Sequence, residues 1–295
     1  MYFAATGAVV CMTAIWILAT SVELPLKVEK NEAATPEARE AFGGGKKVVI
    51  MSGDGDGEVE QVSTGTSTVP TFPKTFKVDD GTEYQLLGLG IRTVSFLRIQ
   101  VYVVGLYVAA ADISTLQSLL IHQIIPNGTT LLPNEREELK GRLLDGEGST
   151  AVWDRVLREG GVRMVTRVVP TRSTEWGHLR DGWVRGIMSR SGEYKDEEGF
   201  GAAVGGFKAL FPGRRTLPKG KTMLLMRNGK GALEVKVEDS EGEKDWMSMG
   251  KVEDERVGRL VWLGYLGGKM VASEEARRSV AEGVLGVVER PVGTV

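Results

Sequence analysis

Residues 88–109 read GLGIRTVSFLRIQVYVVGLYVA, and this stretch decides the fold. Val, Ile, Leu, Phe and Tyr dominate it, the composition of buried strands. Strand alternation puts Arg92, Val94, Phe96, Arg98, Gln100 and Tyr102 on one parity. A reversal around Leu97 makes two antiparallel strands and sets Arg92 opposite Tyr102 on one face. A guanidinium keeps its charge, so placing it among apolar residues is costly unless it is paired. The nearest acids in sequence are Glu83 and Asp112, so Arg92 has no local partner. A distant carboxylate folding onto it is the plainest explanation. The alternative is an anion from outside, because an arginine and a phenol in apolar surroundings suit one anionic group on an otherwise apolar ligand.

The flanking segments extend the pattern. Residues 71–92 predict a hairpin turning at Asp80-Gly81. Downstream, helical spacing covers 112–122, 134–144 and 150–159, with Ser149 as the cap of the last. A strand is expected at 161–170, then a helix over 173–190 with Trp176, Leu179, Trp183 and Ile187 along one stripe. His178 projects nearly opposite that stripe, beside Arg185. A Gly-rich helix within 197–213 stops at Pro212-Gly213, and a hairpin over 221–237 turns at Asn228-Gly229. Two helices, 252–268 and 273–288, close the chain, the second capped by Ser273. Strands and helices are segregated, which predicts an α+β fold on an antiparallel sheet.

Composition removes several function classes. The 37 basic and 39 acidic residues nearly cancel, so no nucleic-acid partner is expected. One cysteine, Cys11, excludes a disulfide framework and a multi-Cys zinc site, and two histidines, His122 and His178, exclude a three-His metal site. His122 sits among aliphatics and reads as a core or helix-end residue. The glycines of 199–207 lack P-loop spacing and read as close packing of a helix on the sheet. Residues 1–22 carry no charge and as a helix span about 30 Å, the thickness of a bilayer core. The lack of a basic n-region favours a membrane anchor over a cleaved signal. The expected organisation is a transmembrane anchor at 1–22, a flexible tether at 23–69 and a folded domain at 70–295.

Three blocks in order carry a family resemblance: the opening stretch, FPG…LPKGKTMLLMRNGKGALEV, and KVEDERVGRLVWLGYLGGKMVASEEARRSV. Together they resemble the chalcone isomerase-like superfamily, and more closely its fungal mitochondrial branch named for altered inheritance of mitochondria. The resemblance implies an open-faced β-sandwich, with an antiparallel sheet covered by helices, and a ligand cleft between them. It implies that Arg92 matches the arginine that steers an oxyanion in plant chalcone isomerases. Tyr102 falls where the plastid fatty-acid-binding members carry a tyrosine that grips a carboxylate with that arginine. Trp176 and Trp183 align with catalytic polar groups of the plant enzymes, a departure that weighs against isomerase activity. Arg98 stands where this branch is expected to carry glycine. The branch's association with haem implies non-covalent haem b, its propionates held by Arg92 and its iron by His178.

The expectation is therefore a single-pass protein of the mitochondrial inner membrane whose cleft binds an apolar anion. Haem is the leading ligand and a fatty acid the next. The ligand-binding residues are Arg92, Tyr102, Trp176, His178 and Trp183. The alternatives are an isomerase or intramolecular lyase in which Arg92, with Tyr102, stabilises an oxyanion, or a non-catalytic scaffold.

Overall fold

The computed structural model describes residues 48–51, 59–95, 97–192, 194–239 and 246–289. The expected anchor at 1–22 and most of the expected tether lie outside these residues. Among the described residues no helix is long and apolar enough to cross a membrane.

The chain opens with a three-stranded antiparallel sheet, β1 (Val48–Met51), β2 (Val59–Ser63) and β3 (Thr71–Pro73). Residues 59–69 therefore belong to the fold and not to a tether. Strand β2 pairs with β3, and Val62, Thr64 and Val69 are buried. A seven-stranded antiparallel sheet follows from β4 (Thr75–Lys77), β5 (Glu83–Val94), β6 (Ile99–Ala109), β7 (Met164–Pro170), β10 (Met223–Arg227), β11 (Leu233–Glu238) and β12 (Trp246–Val252). Its order is β12-β11-β10-β7-β6-β5-β4, and a two-stranded ribbon of β8 (Thr174–Glu175) and β9 (Thr216–Leu217) lies beside it. The helices are α1 (Ile113–His122), α2 (Pro133–Leu144), α3 (Gly148–Glu159), α4 (Trp176–Arg190), α5 (Phe200–Ala209), α6 (Glu255–Leu266) and α7 (Glu274–Val288).

Alternation along β6 builds a core on each face of the large sheet. Tyr102, Val104, Leu106 and Val108 join the helix-side core with Trp153, Trp183, Phe207 and Trp262. Val103, Tyr107 and Ala109 join the second core, beneath Phe72 of β3. Each large side chain removed from water contributes roughly 1.5–3 kcal/mol. Gly105 makes room for this second layer, since a Cβ there would lie 2.8 Å from the Phe72 ring.

Strand β5 pairs with β4 only at Glu83–Gln85, so most of its outer edge has no neighbouring strand. Helix α7 covers that edge. Ser279 Oγ accepts from Leu89 N–H at 3.1 Å, Glu275 Oε2 accepts from Ile91 N–H at 3.2 Å, and Ser273 Oγ donates to the Ile91 carbonyl at 2.8 Å. Side chains thus satisfy groups that an adjoining strand would normally pair. The approach is at backbone contact: a Cβ on Gly88 would meet Val280 N at 2.3 Å, and one on Gly90 would meet Ala276 N at 2.3 Å. Close helix packing thus uses the glycines of β5 and not those of α5. Gly201, Gly205 and Gly206 face open space, and α5 packs through Phe200, Val204 and Phe207.

Ser273 caps α7 as expected, accepting from Ala276 N–H at 3.2 Å. Ser149 does not cap α3: its hydroxyl donates to Asp145 O, while the Asp145 carboxylate accepts from the amides of Glu147 and Gly148. A carboxylate reaches two free amides at once, which a hydroxyl one turn into the helix cannot do.

Candidate functional site

Arg92 and Tyr102 face each other across the β5–β6 hairpin as register neighbours. A bulge follows at Arg92/Thr93, and Tyr102 pairs onward with Pro170 of β7. The site therefore lies at the end of the sheet where β5 finishes and β6 begins. The connecting turn is tight enough to hold Ser95 at φ 62° and Arg98 at φ 52°. A left-handed backbone is where glycine is favoured, which accounts for the family expectation at Arg98.

Arg92 is half-buried. Its Nη1 donates to the Ala272 carbonyl at 3.0 Å, and its guanidinium carbon lies 6.0 Å from the centre of the Tyr102 ring. Among the described residues no carboxylate pairs with it: Glu275, on the covering helix, turns one oxygen to Ile91 N–H and the other towards Arg98 at 3.9 Å. The distant acid that would neutralise Arg92 internally is not found among them.

Tyr102, buried beneath, is the end of a chain of polar atoms. Trp183 Nε1 donates to Tyr265 Oη at 2.8 Å, and Tyr265 Oη lies 2.9 Å from Tyr102 Oη. An indole nitrogen can only donate, so Tyr265 oxygen accepts from it. Tyr102 and Tyr265 share one hydrogen bond in which either oxygen can donate, so three hydrogens, the indole N–H and the two phenol O–H, meet only two oxygens. One phenol hydrogen of the pair is therefore left without an acceptor among the described residues, beside a guanidinium without a counter-ion among them. Burial raises both phenols above their usual range. The neighbouring phenol adds to the effect on Tyr102, and Arg92 opposes it on both. Both stay protonated donors at neutral pH and are poor bases.

Trp176 and Trp183 lie on the inner stripe of α4, and the aromatic wall continues through Phe211, 5.5 Å from Trp183 ring to ring. Trp176 Nε1 is buried with no acceptor among the described residues, and Arg215 lies over its ring at 5.5 Å. His178 is not brought to this cluster. It is exposed, because a helical step of about 100° turns it away from positions 176, 179 and 183. The residues around Arg92 therefore offer no histidine to a haem iron. Among the described residues no group of three or more His, Cys, Asp or Glu is placed to hold a metal ion. His122 ends α1, partly buried. Sequence reasoning missed Tyr265, although a tyrosine inside an apolar helix calls for a hydroxyl partner.

Comparison with known proteins agrees with this architecture. Residues 82–281 match the family model described as chalcone isomerase like. Altered inheritance of mitochondria protein 18 of Debaryomyces hansenii is 30% identical over 226 residues, covering 75% of this chain and 74% of that protein. Its counterpart in Eremothecium gossypii is 28% identical over 233 residues, covering 78% and 76% respectively. Both are named as mitochondrial proteins. Among solved structures, an Arabidopsis thaliana fatty-acid binding protein superposes with a TM-score of 0.58 at 19% identity, covering 78% of this chain and all of that one. At that identity the likeness speaks for the fold alone. With the family model spanning most of the chain, the curled antiparallel sheet and its helical cover make this chain a member of the chalcone isomerase-like family.

Proposed function

We infer that this protein binds an apolar ligand through its carboxylate, a long-chain fatty acid being the best fit, at the site formed by Arg92 and Tyr102. The observation that carries this reading is the pairing of two demands unmet among the described residues: a half-buried guanidinium without a counter-ion and, in the phenol pair next to it, one hydrogen without an acceptor. One carboxylate answers both. The aromatic residues Trp176, Trp183 and Phe211 supply an apolar setting for the rest of the molecule, and the fatty-acid binding neighbour has the same fold.

Binding is favoured over isomerisation because the groups beside Arg92 are donors, and neither phenol is a base at neutral pH. Haem shares the class, an apolar body with carboxylates, but its iron would need a ligand other than His178 at this site. Residues 1–22 anchor the protein in this reading, and the mitochondrial inner membrane is the compartment it serves.

Titration of the full chain with a C16 fatty acid, the matching alcohol and haem tests this. The acid is expected to bind at least tenfold more tightly than the alcohol, and Arg92→Ala to weaken the acid about thirtyfold, the scale of an unpaired buried charge. Tyr102→Phe is expected to weaken it by a smaller factor. Equal affinity for acid and alcohol, or an Arg92→Ala variant that binds the acid unchanged, would overturn the assignment. A saturable Soret band lost in Arg92→Ala would move the ligand to haem.

A further inference from the structure

The end of the sheet that holds Arg92 has an unusual surface. The β5–β6 turn exposes two apolar residues, Val94 at 38% and Leu97 at 66%. Around this turn the chain places segments 171–175 and 212–221. Thr171 N–H donates to the Val101 carbonyl, and its hydroxyl donates to the Gln100 carbonyl. Lys219 N–H donates to Ser173 Oγ, and β8 pairs with β9, which ties the two segments to each other. Arg172, Arg214, Arg215 and Lys219 on these segments are all exposed, and none forms an ion pair with a described residue. The one acid on the same segments is Glu175. Lys221 and Arg98 face Glu238 and Glu275. In a chain whose formal net charge is −2, this end is locally cationic by sorting and not by composition.

We propose that this end of the domain docks on an anionic lipid surface, with Leu97 and Val94 entering the headgroup layer and Arg172, Arg214, Arg215 and Lys219 meeting lipid phosphates. The chemistry is complementary on both counts. An exposed apolar tip gains by leaving water, and each surrounding cation is drawn to an anionic leaflet. A soluble protein partner would favour a larger and flatter apolar patch, with its charges at the rim paired. The docked face is also the face of Arg92, so a ligand leaving the bilayer reaches the guanidinium directly. That second statement rests on the carboxylate-binding reading, whereas docking itself does not.

The test uses the full chain without added ligand. In a Cys11→Ser background, an environment-sensitive fluorophore is attached at Leu97→Cys and, separately, at Lys230→Cys. Lys230 lies in the β10–β11 turn, at the opposite end of the sheet. Vesicles of phosphatidylcholine alone are compared with vesicles containing phosphatidylserine or cardiolipin. The label at 97 is expected to shift to the blue and be quenched by lipid-borne quenchers on anionic vesicles, and to stay water-like on neutral ones. The label at 230 should stay water-like on both. An anchor at 1–22 would tether the chain to either vesicle, so the contrast between the two labels and two lipids isolates docking.

Replacing Arg172, Arg214 and Lys219 by Ala is expected to lower the docked fraction about fivefold per charge. All three are exposed, and circular dichroism checks the fold. Salt gives the same test without mutation, because 1 M salt shortens the screening length from about 10 Å at 0.1 M to about 3 Å. A position-97 signal indifferent to lipid charge and to salt would overturn the proposal. Failed docking with intact fatty-acid affinity would refute docking alone, and docking without fatty-acid affinity would refute the ligand alone.

Discussion

Gly283 on α7 sets two physical effects of opposite sign against each other. Glycine to alanine inside a helix ordinarily stabilises by about 1 kcal/mol, since alanine loses less backbone freedom. Yet a Cβ on Gly283 would lie 1.7 Å from the Leu87 carbonyl oxygen and 2.8 Å from its carbon. Relaxed contacts between carbons lie near 3.5–4.0 Å, so α7 must withdraw from β5 by well over an ångström. That movement carries the bonds from Leu89 N–H to Ser279 at 3.1 Å and from Ile91 N–H to Glu275 at 3.2 Å beyond useful length. Two bonds at about 1 kcal/mol each and an overpacking cost of about 1–3 kcal/mol outweigh the helical gain. The expected net effect of Gly283→Ala is a loss of about 3 kcal/mol, read as a fall in the urea midpoint at constant slope. Gly286→Ala, one turn on and facing open space, is the matched control and should gain about 0.5–1 kcal/mol. If both variants shifted the midpoint upward, the backbone contact between α7 and β5 would be refuted.

Three further outcomes are expected. Tyr265→Phe removes the acceptor of the Trp183 N–H and the hydrogen-bond partner of Tyr102; stability should fall by about 1–3 kcal/mol and fatty-acid affinity with it, measured by urea titration and by binding. Burial alone would raise the Asp112 carboxyl, but the bonds from Arg163, each at 2.8 Å, outweigh it and hold its folded pKa below the ordinary 3.8. A depressed folded pKa gives stability that is present above the unfolded value and lost as pH falls through the folded one, so Asp112→Asn should flatten the stability profile below about pH 4, and an unchanged acid limb would count against the pair. Arg98→Gly relieves a left-handed backbone at the cost of one loose, exposed ion pair, and should raise the thermal midpoint slightly, by about 0.5 kcal/mol at the transition.

Local signals made much of the fold legible. Parity in residues 88–109 placed Arg92 opposite Tyr102, and the register agrees: the turn pairs Val94 with Ile99 and Thr93 with Gln100, and the bulge at Arg92/Thr93 passes over Val101 to bring Tyr102 opposite Arg92. Ser273 and the Asp80-Gly81 turn announced themselves by side-chain chemistry that acts within three residues. What the sequence hid depends on contacts far along the chain. Gly88 and Gly90 read as ordinary strand glycines until α7 lies on them, while the glycines of α5, which look like packing residues, touch nothing. Tyr265 joins the site across 163 positions, and no period or spacing records such a meeting. His178 shows the converse: helical geometry alone turned it to solvent, and only the family resemblance drew it toward the site.

The covering of β5 by α7 also has a bearing on the order in which the protein is assembled. The groups that complete the Arg92 end are supplied late: Tyr265 to Tyr102 across 163 residues, Ala272 to Arg92 across 180, and Ser279 to Leu89 across 190. Such long loops close slowly and yield their reward only at closure. During synthesis, or during passage through a membrane pore from the N-terminus, β5 and β6 can pair at once. The outer edge of β5 stays open until residues 273–279 emerge. An open apolar edge is a template for another chain. The nascent protein thus passes through an interval in which it is both unable to hold its ligand and exposed to wrong partners, and both conditions end with the arrival of one helix.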